Sequence, residues 1–145
     1  MDFFNRLIHA ITELHPTHPM FVHFPIALTG AAFLFILLAF WRKSPSLEQT
    51  AFANMILAAI STVVAGFTGA MDNIKNYDGT APNAGTKIIL ATILFLLTTT
   101  VSVVRYRNPE IFQKGNRLLY MASYGLSFGI ALVLAFLGGV ILYGF

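Results

Sequence analysis

Four times along this chain an apolar run long enough to cross a bilayer is closed by charged or turn-forming residues: Met20 to Trp41, Ala51 to Met71, Ile88 to Val104 and Leu118 to Tyr143. A helix rises about 1.5 Å per residue, so about 20 residues match a hydrocarbon core about 30 Å thick. No Lys, Arg, Asp or Glu stands inside any of the four runs, and no histidine near the middle of one. In lipid every backbone N–H and C=O must be satisfied within its own segment, which leaves helices as the spanning form for runs of this kind. The expected fold class is therefore all-α, an integral membrane four-helix antiparallel bundle, with residues 1–145 forming a single transmembrane domain. Composition agrees: 57% hydrophobic against 10% charged residues leaves too little polar surface to clothe a soluble core, for which about 25% charged residues is usual.

The boundaries follow from local chemistry. Residues 3–14 place Phe4, Leu7, Ile8, Ile11 and Leu14 at helical spacing, with Asn5, Arg6, His9, Thr12 and Glu13 on the other arc, which predicts a short amphipathic helix lying in the interface. It is expected to be retained, because the following apolar run ends in Trp41-Arg42-Lys43 and not in a small-residue cleavage site. Pro25 is expected in the first turn of the first span, where its missing N–H costs little. Ser44-Pro45-Ser46, a polar loop from Asp72 to Lys87 and a basic loop up to Arg117 separate the spans.

Arg42, Lys43, Arg105, Arg107, Lys114 and Arg117 fall in the first and third loops, against Arg6, Lys75 and Lys87 on the other side. The excess of Lys and Arg on the cytoplasmic side predicts a multi-pass protein of a bacterial inner membrane with both termini periplasmic. These charges are loop residues with no basic patch and interleaved aromatics, so no nucleic-acid partner is expected. The absence of cysteine excludes disulfides, cysteine-ligated iron–sulfur clusters and thioether-attached haem. A proton relay through the bilayer is not supported by spans without central ionisable residues.

What chemistry there is gathers at one end. The segment His15 to Pro25, HPTHPMFVHFP, carries His15, His18 and His23; Gly69 and Asp72 close the second span, and Gly138, Gly139 and Tyr143 the fourth. Helical spacing puts His23, Ala27, Gly30 and Leu34 on one side of the first span. Ala58, Thr62, Ala65, Gly69 and Asp72 share a side of the second, and Gly125, Gly129, Leu132, Phe136, Gly139 and Tyr143 a side of the fourth. Small residues at such spacing allow close helix packing or leave room for a flat ring.

The strings HP and VHFPIAL, AGFTGAMD and GGVILYGF resemble those of a bacterial family of predicted four-span membrane proteins, domain of unknown function 2231. The resemblance touches both ends of the chain and the second span. It implies the same four-span fold and carries onto His18, Pro19, His23, Pro25, Gly66, Gly69, Asp72, Gly138, Gly139 and Tyr143. The family lacks an assigned activity, and some relatives look like membrane anchors joined to Rieske-type iron–sulfur domains, which implies redox company. Members often have a histidine near the start of the third span, where this chain has Gly85-Thr86-Lys87.

Several functions stay open at this point. The first is electron transfer through b-type haem, with His23 as axial ligand and His18, Gly69, Asp72, Gly139 and Tyr143 around it. The opposing ligand is then Met71, His15 or His23 of a second copy in a homodimer. A variant is a transition-metal ion held by His15, His18, His23 and Asp72. In a structural alternative, His23 and Asp72 pair to staple the first span to the second. Another class is a non-catalytic accessory or anchoring subunit of a larger redox membrane complex. An enzyme is the least supported, since no serine or threonine stands in a nucleophile context, although His23 and Tyr143 could hydrogen-bond a quinone head group.

Overall fold

The computed structural model describes residues 3–9 and 18–143, with side chains described except at 7, 9 and 141–143. The described helices are α1 (Phe3–His9), α2 (His18–Arg42), α3 (Pro45–Tyr77), α4 (Ala84–Arg107), α5 (Ile111–Lys114) and α6 (Arg117–Tyr143), and no strand occurs among the described residues. Of the amphipathic helix expected over 3–14, α1 covers Phe3–His9 and the remainder falls outside the described residues.

Helices α2, α3, α4 and α6 are long and apolar enough to cross a membrane. They pack as neighbours around a ring, α2 on α3, α3 on α4, α4 on α6 and α6 on α2, with the α2–α3 contact the broadest. Short connections make successive spans antiparallel. One end, the basic end, gathers the α2–α3 turn, the α4 C-terminus, α5 and the start of α6. The other, the histidine end, gathers the α2 N-terminus, the α3–α4 loop and the end of α6.

Helix α3 departs most from expectation, because it spans 33 residues where an apolar run of Ala51 to Met71 was expected. Apolarity marks the slab of lipid, and the helix continues past it on both sides. At its start Ser44 is the N-cap, its side chain accepting from the Leu47 N–H, with Pro45 in the first turn. At its end Asn76 donates to Asp72 one turn back, and the chain leaves through left-handed Asp78 and Gly79, where Gly79 N–H donates to Asn73 O at 3.0 Å. The polar loop thus shrinks to residues 78–83.

Pro25 also differs. Helix α2 begins at His18, so Pro19 occupies the first turn and Pro25 lies inside the helix. The Phe21 carbonyl consequently has no N–H four residues on. One turn below, the Thr29 hydroxyl donates to Pro25 O at 2.6 Å.

The core explains the broad α2–α3 contact. Ala32, Ile36 and Ala39 of α2 meet Ala51 and Met55 of α3 with no exposed surface on any of them, and small side chains let the axes approach. Each span buries one threonine or serine residue, Thr29, Thr62, Thr98 and Ser127, and each donates to a carbonyl four residues back in its own helix. No hydroxyl in this set needs a partner on another span.

The α2–α6 crossing is reciprocal. A Cβ placed on Gly30 would lie 3.0 Å from the Phe128 ring, and one on Gly125 would lie 3.1 Å from the Phe33 ring. The two rings stand 6.2 Å apart. Between α3 and α4 the packing is looser, leaving an outward-opening apolar groove of about 430 Å³ walled by residues such as Ile60, Val64 and Phe95, where Thr99 Oγ1 has no partner.

Candidate functional site

At the histidine end the sequence-marked residues separate into two groups. His18, the first residue of α2, packs directly on the backbone of α3: a Cβ on Gly69 would lie 2.7 Å from His18 Cε1. Only a glycine lets the ring approach so closely. His18 Nδ1 stands 3.4 Å from Thr68 Oγ1, whose own proton goes to the carbonyls of Val64 and Ala65 at 3.0 and 3.1 Å. Nδ1 is then the donor in that contact. Asp72 of α3 and Lys87 of α4 are the charged side chains that act on this ring, and they act on one another. Three helices therefore converge on one half-buried imidazole.

His23 points elsewhere. Five residues at about 100° each turn it about 140° around the helix from His18, so two histidines of one segment serve different surfaces. Its ring is exposed, and Nδ1 donates to the Pro19 carbonyl one turn back. Asp72 accepts from Asn76 of its own helix, and the α2–α3 staple is His18 on Thr68 and Gly69, where the sequence suggested His23 with Asp72. His15 lies outside the described residues, as does the side chain of Tyr143, while Gly139 opens onto free space. Among the described residues no three His, Asp or Glu stand together as metal ligands.

The helix faces sort the same way. The α3 stripe is correctly placed, with Ala58, Thr62 and Ala65 buried above half-buried Gly69 and Asp72. The stripes on α2 and α6 meet the bundle only at Gly30 and Gly125, the glycines of the α2–α6 crossing. Ala27 and Leu34 are exposed, as are Gly129, Leu132 and Phe136. The buried face of α6 is Tyr120, Tyr124, Ser127 and Ala131, and that of α2 is Pro25, Thr29, Ala32, Ile36 and Ala39.

The basic end holds a network absent from the sequence reading. Glu48, in the first turns of α3 and only 3% exposed, receives Arg105 of α4 through both carboxylate oxygens, Nε to Oε1 at 2.6 Å and Nη2 to Oε2 at 2.8 Å. Tyr120 of α6 donates to Oε1 at 3.0 Å, and its oxygen lies 2.7 Å from that of Tyr124. Because the carboxylate only accepts, Tyr124 donates to Tyr120. Phe112 of α5 caps Tyr120 edge-on, and Arg105 lies over the Phe52 ring at 5.2 Å. Every charge is met by a partner, so the cluster clamps α3, α4 and α6 and leaves no group free for chemistry. The signal for it was the Tyr120, Tyr124, Ser127 spacing.

Compared with known proteins, residues 14–145 match a family model described as predicted membrane protein (DUF2231). No curated protein and no solved structure matches the chain significantly.

Proposed function

We propose, for a chain that belongs to the predicted membrane protein family DUF2231, that it is an electron-transfer-associated protein of a bacterial inner membrane that holds b-type haem through His23. The observation that carries this is the His23 ring itself. Its Nδ1–H is committed to the Pro19 carbonyl, which fixes the tautomer and leaves Nε2 as an acceptor on an exposed surface. A backbone carbonyl behind an imidazole is the arrangement that orients a ligating histidine and raises its basicity. Ala27, on the same exposed face one turn below, leaves room beside the ring.

An imidazole with its Nε2 free is a donor that suits haem iron, and His23 is the residue of this chain that would hold it, with a further ligand supplied from outside the described residues. Bound there, haem would supply one-electron exchange at the membrane face. His18, locked on Gly69, positions the start of α2 against α3. Asp72 and Lys87 set the charge around that helix start. The excess of Lys and Arg at the opposite end supports a periplasmic position for this one. A metal ion held by His18, His23 and Asp72 has no support among the described residues, where His18 and His23 diverge.

A second role, as accessory subunit of a larger membrane complex, is favoured by α6. Gly129 and Gly139 meet nothing within 4 Å, and Leu132 and Phe136 beside them are exposed, a small-and-large surface suited to a neighbouring helix.

The deciding experiment is the visible absorption spectrum of detergent-purified protein, oxidised and dithionite-reduced, with metal analysis of the same sample. A Soret band and sharp reduced bands that vanish in His23→Ala but persist in His18→Ala support haem on His23. A colourless, correctly inserted and metal-free protein sinks it, and stoichiometric co-purification with other subunits then points to the accessory role.

A further inference from the structure

At the basic end, the turn joining α2 to α3, helix α5 and the first turn of α6 enclose a pocket of about 360 Å³ lined by Phe40, Lys43, Pro45, Phe112, Gln113 and Arg117, above Ala39. Its walls are mixed in a telling way, since both charges are positive and most of the remaining lining is apolar. The Arg117 guanidinium lies 4.7 Å from the centre of the Phe40 ring, which holds it against the wall.

Lys43 is there against a backbone preference. Ser44 N–H donates to Ala39 O at 3.1 Å, closing α2 with a six-to-one bond, and Lys43 takes the left-handed position of that closure with φ 51°. Glycine usually fills this position because a side chain there is strained.

The charges at this end do not cancel locally. Glu48 is engaged by Arg105 and Glu110 by Lys114, at 2.8 Å. Among the described residues neither Lys43 nor Arg117 has a carboxylate in ion-pair range. Lys43 directly follows the last residue of α2 and Arg117 is the first of α6, which sets both cations at the level where a spanning helix meets lipid head groups.

We propose that this pocket binds a phosphate group, presented by an anionic phospholipid, with Lys43 and Arg117 flanking the phosphate and Phe40, Pro45 and Phe112 against the adjoining hydrocarbon. Two cations over an apolar floor suit a charged head that continues into a chain better than they suit a small soluble anion. The site is independent of the haem proposal and lies at the opposite end of the bundle.

The test is native mass spectrometry of the full chain titrated with phosphatidylglycerol, with phosphatidylcholine and with inorganic phosphate, alongside thermal unfolding in detergent. Wild type is expected to retain phosphatidylglycerol over phosphatidylcholine. Lys43→Gly, which removes the cation and the backbone strain together, and Arg117→Gln should each weaken phosphatidylglycerol binding roughly fivefold. Arg107→Gln, outside the pocket, should not, and Lys43→Gly should melt no lower than wild type. Equal binding by the pocket variants, or equal loss in Arg107→Gln, overturns the site. If the pocket substitutions change binding of inorganic phosphate and leave the phospholipid unaffected, the ligand is a free anion and the lipid assignment fails.

Discussion

At one end three of the four spans are joined by a buried network around one carboxylate, and at the other two are joined by a single imidazole resting on a glycine. At the basic end, Glu48, Arg105, Tyr120 and Tyr124 bond to one another across three helices with little exposed surface. At the histidine end, His18 touches α3 through van der Waals contact and one long polar contact, and His23 turns outward with a ring nitrogen to spare. A cluster whose groups are all satisfied fixes geometry. A cluster with a group left over is where a ligand can be recognised, so burial of charge and availability of chemistry point to opposite ends of this bundle.

The contrast breaks first at the clamp. Arg105→Ala or Glu48→Ala strands a buried charge and should cost about 3–5 kcal/mol, whereas replacing both with leucine should recover much of it. Thermal or denaturant unfolding in detergent measures this, and single variants within about 1 kcal/mol of wild type would mean that the network holds nothing. Next come the helix crossings. Gly125→Ala and Gly30→Ala force a Cβ into the Phe33 and Phe128 rings and should cost about 1–3 kcal/mol. Gly129→Ala and Gly139→Ala, in open space, should be neutral or stabilising by up to about 1 kcal/mol.

Smaller is the effect at the other end. Gly69→Ala should displace the His18 ring and cost about 1 kcal/mol, and His18→Ala combined with it should add little, because both remove one contact. A fully additive double variant would show that ring and glycine do not depend on each other. Smallest in stability is His23→Ala, expected within about 0.5 kcal/mol of wild type while removing any haem spectrum. A large loss of stability there would make His23 a packing residue and erase the difference between the ends.

The spans were legible because hydrocarbon thickness imposes a length that apolar runs reveal directly. Which face of each span packs inward was legible along α3, but on α2 and α6 only at Gly30 and Gly125. In water a polar face marks the outside of a helix, but in lipid the outside is as apolar as the core. Leu34 and Phe136, half or more exposed, therefore look like core residues. The better markers were the buried hydroxyls Thr29, Thr62, Thr98 and Ser127. The Glu48–Arg105 pairing is not legible because each residue stands at the edge of an apolar run, where a charge reads as part of a loop. His18 and His23 were grouped because they are close in sequence, while the helical turn between them sends them to different surfaces.

Gly30 and Phe33 on α2 repeat the interval of Gly125 and Phe128 on α6, and each helix seats the other's ring. Sliding either helix along its axis by one residue, about 1.5 Å, unseats both rings at once. The pair works as a vernier, setting the vertical offset of the first span against the last. That offset is therefore independent of the lengths of the connections between them, and insertions at Asp78 to Asn83 or around α5 could accumulate without moving one end of the chain past the other.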